Sequence, residues 1–475
     1  MNRKYKYLIK NIGTLTIANF GTKILSFFLI PLYTNILTTG EYGTYDLYST
    51  TISLLIPILT FSVIDATLRY SLESDENKSE VFTIALKRII LSTLIVIAII
   101  LINNLFNFFE IFKLYSTYFI MLYFSEILYS LLSNFSRGLE KIKEVAIAGI
   151  INSIVILTGN ILLLVVFKQG LKGYFVANIL GYIIPIIYFS FILKIWNYIN
   201  LNKVNKKLKN EMFTYSKPLI FNTIGWWITN VSDRYVVTII CGISANGVYS
   251  VSYKIPSILN VFQTIFNQAW TLSAVKEYDK NSKEFYSKVY KIYNLGMVLV
   301  CSLLIIGDQL LAKLLYSNNF YEAWKYAPFL MISVVFGALS GLLEGVFVAT
   351  KDTKAIAKTT IIGAIVNTIL NIILVKCIGT LGAAIATLIS YLVVWILRII
   401  DTNKVMKMDI DYRKNVFSYI LLTLQSITLL INLKIIPKYT IELAIFNIIC
   451  ITYFKDIKYY LKKIGNRKIM KNDEK

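Results

Sequence analysis

Ile89-Ile90-Leu91-Ser92-Thr93-Leu94-Ile95-Val96-Ile97-Ala98-Ile99-Ile100-Leu101-Ile102 carries no charge and follows directly on Lys87-Arg88. Read with the residues just before it, the run over 81–102 is a helix long enough to cross the ~30 Å hydrocarbon core of a bilayer. Outward from it the pattern recurs along the whole chain. Spans are expected at 11–37, 46–69, 81–102, 114–136, 145–167, 173–193, 218–240, 248–272, 289–307, 326–350, 355–375, 380–400, 415–433 and 439–454. The composition agrees, because 56% of the 475 residues are apolar and only 16% charged, with a mean hydropathy of +0.62. Soluble domains run near a quarter charged. The fold class is therefore all-α and polytopic, with about 14 transmembrane helices and no room for a sizeable soluble domain.

The 49 Lys and Arg residues outnumber the 27 Asp and Glu and give a net charge of +22, which raises the question of nucleic acid. Their placement answers it. Alternate gaps between spans, counted from Met1, hold 38 Lys and Arg on one side and 8 on the other. That asymmetry is the positive-inside pattern, and it puts both termini in the cytoplasm. The basic tail 455–475, with Lys462, Lys463, Arg467 and Lys468, is expected to lie against anionic lipid. The first apolar run is too long for a cleavable signal. With no histidine in the chain, zinc hydrolases and Ser-His-Asp hydrolases are excluded, and the four cysteines have no metal or disulfide spacing. No phosphate-binding glycine loop is present, so no nucleotide or other cofactor is expected.

Two internal matches suggest a repeat. Gly43-Thr44-Tyr45-Asp46 follows span 1, and Gly247-Val248-Tyr249-Ser250 follows span 7. Gly170-Leu-Lys-Gly173 opens span 6, and Gly379-Thr-Leu-Gly382 opens span 12, with Ala177 and Tyr182 matched by Ala386 and Tyr391. Two parallel six-helix halves follow, because an even number of helices per half preserves orientation. The expected organisation is an N-lobe over 1–200, a cytoplasmic linker over 201–213, a C-lobe over 214–405, two further helices over 406–454 and the basic tail. Pro57 in span 2 and Pro256 in span 8 occupy equivalent helices. They are candidate gating kinks, although prolines are in any case commoner in membrane helices.

Lys23 and Pro31-Leu-Tyr33, then Leu37-Thr-Thr-Gly-Glu41-Tyr42-Gly43-Thr-Tyr45, resemble the opening of bacterial oligosaccharide and polysaccharide repeat-unit flippases. These belong to the multidrug/oligosaccharidyl-lipid/polysaccharide exporter superfamily. Arg137-Gly-Leu-Glu140-Lys141, Tyr215-Ser-Lys-Pro218 through Asp233-Arg234, Gly247-Val-Tyr249 and Gly379-Thr-Leu-Gly382-Ala-Ala extend the resemblance over about residues 8–454. It implies two six-helix lobes around a cavity that opens to alternate faces of a bacterial plasma membrane. It also implies an undecaprenyl-diphosphate-type lipid-linked glycan as cargo, and polysaccharide assembly proteins as partners. Spans 13 and 14 look similar to the extra C-terminal pair of lipid II flippases.

With the cations at span ends counted in the cytoplasmic gaps (69–88, 276–291, 351–358 and 398–414), three remain inside spans: Lys23, Arg234 and Lys254. A charge at membrane depth costs ~3 kcal/mol or more, so each needs a reason. Lys23 sits too deep in span 1 to snorkel, which leaves a cavity ligand or a buried pair with Glu126. Arg234 and Lys254 lie about 9–10 Å below one interface and can either snorkel or join Lys23 around a diphosphate. Asp233, next to Arg234, points about 100° away and is no simple partner for it. Glu126 and Glu344, in equivalent spans 4 and 10, and Asp233 are candidates for proton or sodium coupling or for ion pairing. Tyr33, Trp226, Trp227, Tyr249 and Tyr253 can stack on sugar or belong to an interfacial belt. The leading expectation is a flippase, with no catalytic residues and no metal. A cation-coupled drug antiporter of the same superfamily would favour an acidic cavity. A membrane polysaccharide polymerase or glycosyltransferase would need a large outer loop with catalytic side chains, and the outer gaps here are short.

Overall fold

The computed structural model describes residues 27–73, 78–200, 205–276, 283–350 and 352–459. Lys23 lies outside the described residues, as does the tail beyond residue 459. In chain order the helices are α1 (Phe27–Ile36), α2 (Thr39–Thr60), α3 (Val63–Glu73), α4 (Lys78–Phe106), α5 (Glu110–Leu114), α6 (Ser116–Gly138), α7 (Ile142–Asn160) and α8 (Gly170–Leu193). They continue as α9 (Lys206–Cys241), α10 (Ile243–Ser252), α11 (Pro256–Lys276), α12 (Lys283–Leu315) and α13 (Ala327–Ala349). The last four are α14 (Thr353–Ile378), α15 (Thr380–Val405), α16 (Tyr412–Leu430) and α17 (Ile435–Thr452).

Among the described residues, 9 helices are long and apolar enough to cross a membrane, and α2 with α3 makes a tenth span bent by 60°. The protein is an all-α polytopic membrane protein. At the seventh, eighth and thirteenth expected spans the chain is helical but less apolar, in α9, α11 and α16. The reason is visible in what these helices hold. Asp233 and Arg234 on α9 and Asn415 and Gln425 on α16 make buried polar contacts inside the protein instead of facing lipid.

The chain forms two compact units. One runs to Ser250 and includes Leu315–Phe320; the other holds Val251–Leu314 and the residues from Tyr321 onward. In the first unit, Thr38 caps α2 in a reciprocal box. Its hydroxyl accepts from the Glu41 amide at 3.2 Å, and its own amide donates to the Glu41 carboxylate at 2.8 Å. Small residues let α7 and α8 approach closely, and the Asn152 side chain donates across that seam to the Gly181 carbonyl at 2.7 Å. Tyr48, Phe82, Phe119, Phe135 and Phe175 are fully buried in this unit's core.

The kink expected at Pro57 is displaced. α2 continues through Pro57 and breaks four residues later at Phe61 and Ser62, both with positive φ (55° and 50°). The Ser62 amide donates to the Pro57 carbonyl at 3.0 Å, which closes the helix end, and the Phe61 ring lies 4.1 Å from the Arg88 guanidinium. Pro256 does not kink a continuous helix either. It starts α11 after the turn at Tyr253–Ile255. Pro218, expected in a first turn, lies well inside α9, which begins at Lys206 within the stretch expected as a linker.

In the second unit α13 is the most deeply buried span. The Trp270 indole of α11 donates to the Leu342 carbonyl of α13 at 2.8 Å. α16 and α17 attach to α12 through side chains. Asn294 donates to Asn415 and to the Tyr453 hydroxyl, both at 3.0 Å, and accepts from the Tyr419 hydroxyl at 2.7 Å. Lys291, near the start of α12, donates at 2.7 Å to Asp409, which lies outside the spans, and holds that carboxyl below its usual range. Gly170 and Gly379, the first glycines of the matched motifs, both have positive φ (53° and 64°) at the turn into their helices. A Cβ on Gly382 would then fall 2.3 Å from the Leu374 backbone, and one on Gly173 would be in tight contact with Leu163 at 3.0 Å. The two motifs thus build the same tight helical hairpin, one in each unit.

Candidate functional site

The other repeated motif forms a crossing. Gly43 of α2 and Gly247 of α10 lie against each other's backbones. A Cβ on Gly43 would be 3.0 Å from the Gly247 nitrogen and far inside that distance from the Ile243 carbonyl oxygen. A Cβ on Gly247 would meet the Thr39 carbonyl in the same way. Only glycine permits this approach, and it occurs where the first and second sequence halves carry the same motif.

Three residues after Gly43, Asp46 is the hub of the crossing. Its Oδ1 accepts from Arg234 Nη1 of α9 at 2.7 Å. Its Oδ2 accepts from the Ser250 hydroxyl at 2.6 Å and from the Asn246 amide at 3.3 Å. Asn246 and Ser250 are four apart on α10 and so share one face. The Asn246 amide also donates to the Gly43 carbonyl at 3.3 Å. Both members of the ion pair are largely covered, with side chains 17% (Arg234) and 11% (Asp46) exposed. The α2–α9 seam continues away from Asp46. The Trp227 indole donates to the Thr50 carbonyl at 3.0 Å, and the Tyr235 and Thr51 hydroxyls share a hydrogen bond.

Asp233 is not the partner of the Arg234 guanidinium, as its angular position on the helix requires. One of its oxygens accepts from the Arg234 backbone amide at 2.9 Å and the other from the Tyr249 hydroxyl at 2.6 Å. By helix rise, Asp46 lies about 10 Å from the start of α2 and Arg234 about 10 Å from the end of α9. The pair thus sits at a depth where either charge alone is expensive.

Lys254 belongs to the second unit, half-buried in the turn between α10 and α11. Glu344 is ion-paired. Its carboxylate accepts from Arg398 Nη1 at 2.9 Å, and the same guanidinium donates to the Ser340 carbonyl and to the Thr359 and Thr360 hydroxyls. Arg398 is 3% exposed, whereas the sequence placed it in a cytoplasmic gap. Glu126 on α6 is half-buried, and the hydroxyls of Tyr45 and Tyr182 lie within electrostatic reach of its carboxylate. Tyr45 in turn packs edge-on against Tyr174 at 4.5 Å. Of the candidate sugar-stacking rings, Tyr33 stacks on Tyr42 at 4.8 Å and Tyr249 is fully buried. Trp227 is committed to Thr50. Among the described residues, no group of three or more Cys, Asp or Glu side chains is placed to hold a metal.

Sequence reading missed Asp46 and Arg398. Asp46 was taken as the border of span 2, and its only signal was its place in the repeated Gly-x-Tyr motif. Arg398 carried a clearer signal, since Ile399-Ile400 continue the apolar run beyond it. Asp308, read as part of an outer gap, lies inside α12 and is fully buried, as is Glu442 on α17.

This fold is shared with solved transporters. It is similar to an inward-facing multidrug resistance MATE family transporter of the MOP superfamily, with a TM-score of 0.69 at 14% identity, covering 82% of this chain and 97% of that one. It is also similar to the lipid II flippase MurJ in an inward closed conformation, with a TM-score of 0.66 at 17% identity, covering 93% and 99%. The chain belongs to the polysaccharide biosynthesis protein family, whose profile matches residues 8–271. The MatE profile matches 218–373. The probable low-salt glycan biosynthesis flippase Agl15 of Haloferax volcanii is 23% identical over 199 residues, 41% of this chain and 42% of that protein. An uncharacterised membrane protein of Methanocaldococcus jannaschii is 24% identical over 241 residues, 49% and 48%. The chain spans under half the length of these curated relatives.

Proposed function

We propose that this protein is a flippase that moves a prenyl-diphosphate-linked oligosaccharide repeat unit from the cytoplasmic to the outer leaflet for surface polysaccharide synthesis. The observation that carries the reading is family membership over residues 8–271, on a fold shared with a lipid II flippase. In this reading fourteen helices form two six-helix lobes, over 1–200 and 214–405, with two further helices behind them. Both termini face the cytoplasm of a bacterial cell, so the Gly43–Gly247 crossing lies on the outer side and closes it. Lys23, Arg234 and Lys254 bind the diphosphate. A cation–phosphate charge pair at ~6 Å and an effective dielectric near 20 is worth about 3 kcal/mol. Proton or sodium coupling falls to Glu126 with its neighbouring tyrosines, because Glu344 is engaged by Arg398 and Asp233 by Tyr249.

The antiporter reading draws on the MatE match and the MATE likeness, but three cations at membrane depth suit an anionic headgroup better. Deleting the gene decides between the classes. A flippase deletion leaves completed lipid-linked repeat units in the inner leaflet and removes the surface glycan. Single repeat units in the outer leaflet that are never joined would instead identify a polymerase. Intact surface glycan with heightened drug sensitivity would identify an antiporter.

A further inference from the structure

Arg234 already has an anion. We propose that Asp46 is the resident counter-ion of Arg234 while the glycine crossing is closed, and that the diphosphate of the cargo displaces it, so that binding releases α2 from α9 and α10. The proposal rests on the assignment of Arg234 to the diphosphate.

Asp46 joins three helices through one carboxylate: α2, which carries it, α9 through Arg234, and α10 through Ser250 and Asn246. That division leaves the ion pair weaker than it could be. A fork-to-fork contact with a guanidinium uses both carboxylate oxygens, and Oδ2 is occupied by Ser250 and Asn246. A phosphate has oxygens to spare and can take two guanidinium N–H groups at once. Neither side chain is completely covered. Once Arg234 turns to a phosphate, the partners Asp46 keeps among the described residues are neutral donors. A carboxylate left at that depth without its cation destabilises the closed arrangement and favours one in which water reaches it. The closed crossing thereby responds to the cargo's charge. An uncharged lipid cannot make the exchange.

The distinguishing consequence is that removing the resident counter-ion should tighten binding. Binding of farnesyl diphosphate and of inorganic pyrophosphate to the purified full chain in nanodiscs is measured for wild type, Asp46→Asn, Ser250→Ala, Arg234→Gln and the Asp46→Asn/Arg234→Gln double variant. Asp46→Asn should bind farnesyl diphosphate about tenfold more tightly, and Ser250→Ala, which frees Oδ2 for a second contact with Arg234, about two- to fivefold more weakly. Arg234→Gln should weaken binding and abolish the gain from Asp46→Asn in the double variant. The same gains with pyrophosphate would place the exchange on the diphosphate itself, and gains with farnesyl diphosphate alone would place it on the lipid-borne form. A folded Asp46→Asn protein that binds no tighter than wild type overturns the exchange, as does a gain that persists without Arg234. If Asp46→Asn fails to insert, Ser250→Ala decides: weaker binding than wild type supports the exchange, and unchanged or tighter binding overturns it. Wild type that binds neither probe overturns the diphosphate cargo and the exchange together, which separates that failure from a failure of the exchange alone.

Discussion

Replacing Gly43 with alanine sets two expectations against each other. In an ordinary helix interior, glycine to alanine stabilises by about 1 kcal/mol, because alanine loses less backbone entropy. At the crossing the new methyl would fall far inside 3.0 Å of the Ile243 carbonyl oxygen and 3.0 Å from the Gly247 nitrogen. Both obstacles are backbone, so no side chain can rotate out of the way. Relief requires α2 and α10 to part by about 1 Å, a typical overpacking displacement costing ~1–3 kcal/mol. The same movement stretches the Asn246–Asp46 contact, now 3.3 Å, and the Ser250–Asp46 contact, now 2.6 Å, past useful hydrogen-bond length. Two lost bonds at about 1 kcal/mol each bring the penalty on the closed form to roughly 3–5 kcal/mol. Hydrogen exchange on the protein in nanodiscs reads this directly. Amides over 43–50 and 246–252 should exchange on the order of 100-fold faster in Gly43→Ala while the α13 amides stay protected. Unchanged or slower exchange over both segments would refute the crossing as a closed contact.

Arg398→Ala should lower thermal stability strongly, by about 3–5 kcal/mol, because it strands the Glu344 carboxylate and removes the bonds to Ser340, Thr359 and Thr360. Glu344→Gln should cost less, about 1–2 kcal/mol, since the guanidinium keeps its other acceptors; thermal unfolding in detergent compares the two. Lys23→Ala should nearly abolish transport at normal expression and Lys23→Arg should keep a substantial part, measured as restored surface glycan in a deletion strain. Normal transport by well-expressed Lys23→Ala would remove Lys23 from the site. Reporter fusions after Lys209 and Lys475 should both report cytoplasm and one after Asn246 the outside. An external signal at Lys475 would break the fourteen-helix count.

What could be read in the sequence followed from solvent. Runs such as 89–102, with no charge, and 327–349, with Glu344 alone, declare themselves because lipid tolerates few charges along them, and the structure makes helices of both. Less legible was α16, at the thirteenth span, where Asn415 and Gln425 are satisfied inside the protein and dilute the apolar signal. The Gly170 and Gly379 motifs were legible as a match because a positive φ and a close helix approach both restrict the residue to glycine. Pro57 signalled a disruption in α2 but not its place: the break falls at Phe61 and Ser62, where Phe61 packs against Arg88 of another helix. At the candidate site Arg234 was legible as a charge at depth. Asp46 was not, because an acid at a span border reads as solvated until its partner on α9 is known. The pairing of Arg398 with Glu344 was hidden for the same reason, 54 residues apart along the chain.

The central claim, that the protein moves a lipid-linked glycan across the membrane unchanged, is tested most directly by reconstitution. Purified protein is placed in vesicles carrying a short prenyl-diphosphate oligosaccharide in the inner leaflet only, and the sugar appearing outside is counted by a membrane-impermeant oxidant. The account predicts protein-dependent appearance of chemically intact lipid-linked oligosaccharide, reduced by Lys23→Ala and absent from protein-free vesicles. Appearance no faster than in protein-free vesicles under imposed proton and sodium gradients, from protein that remains folded, would contradict it.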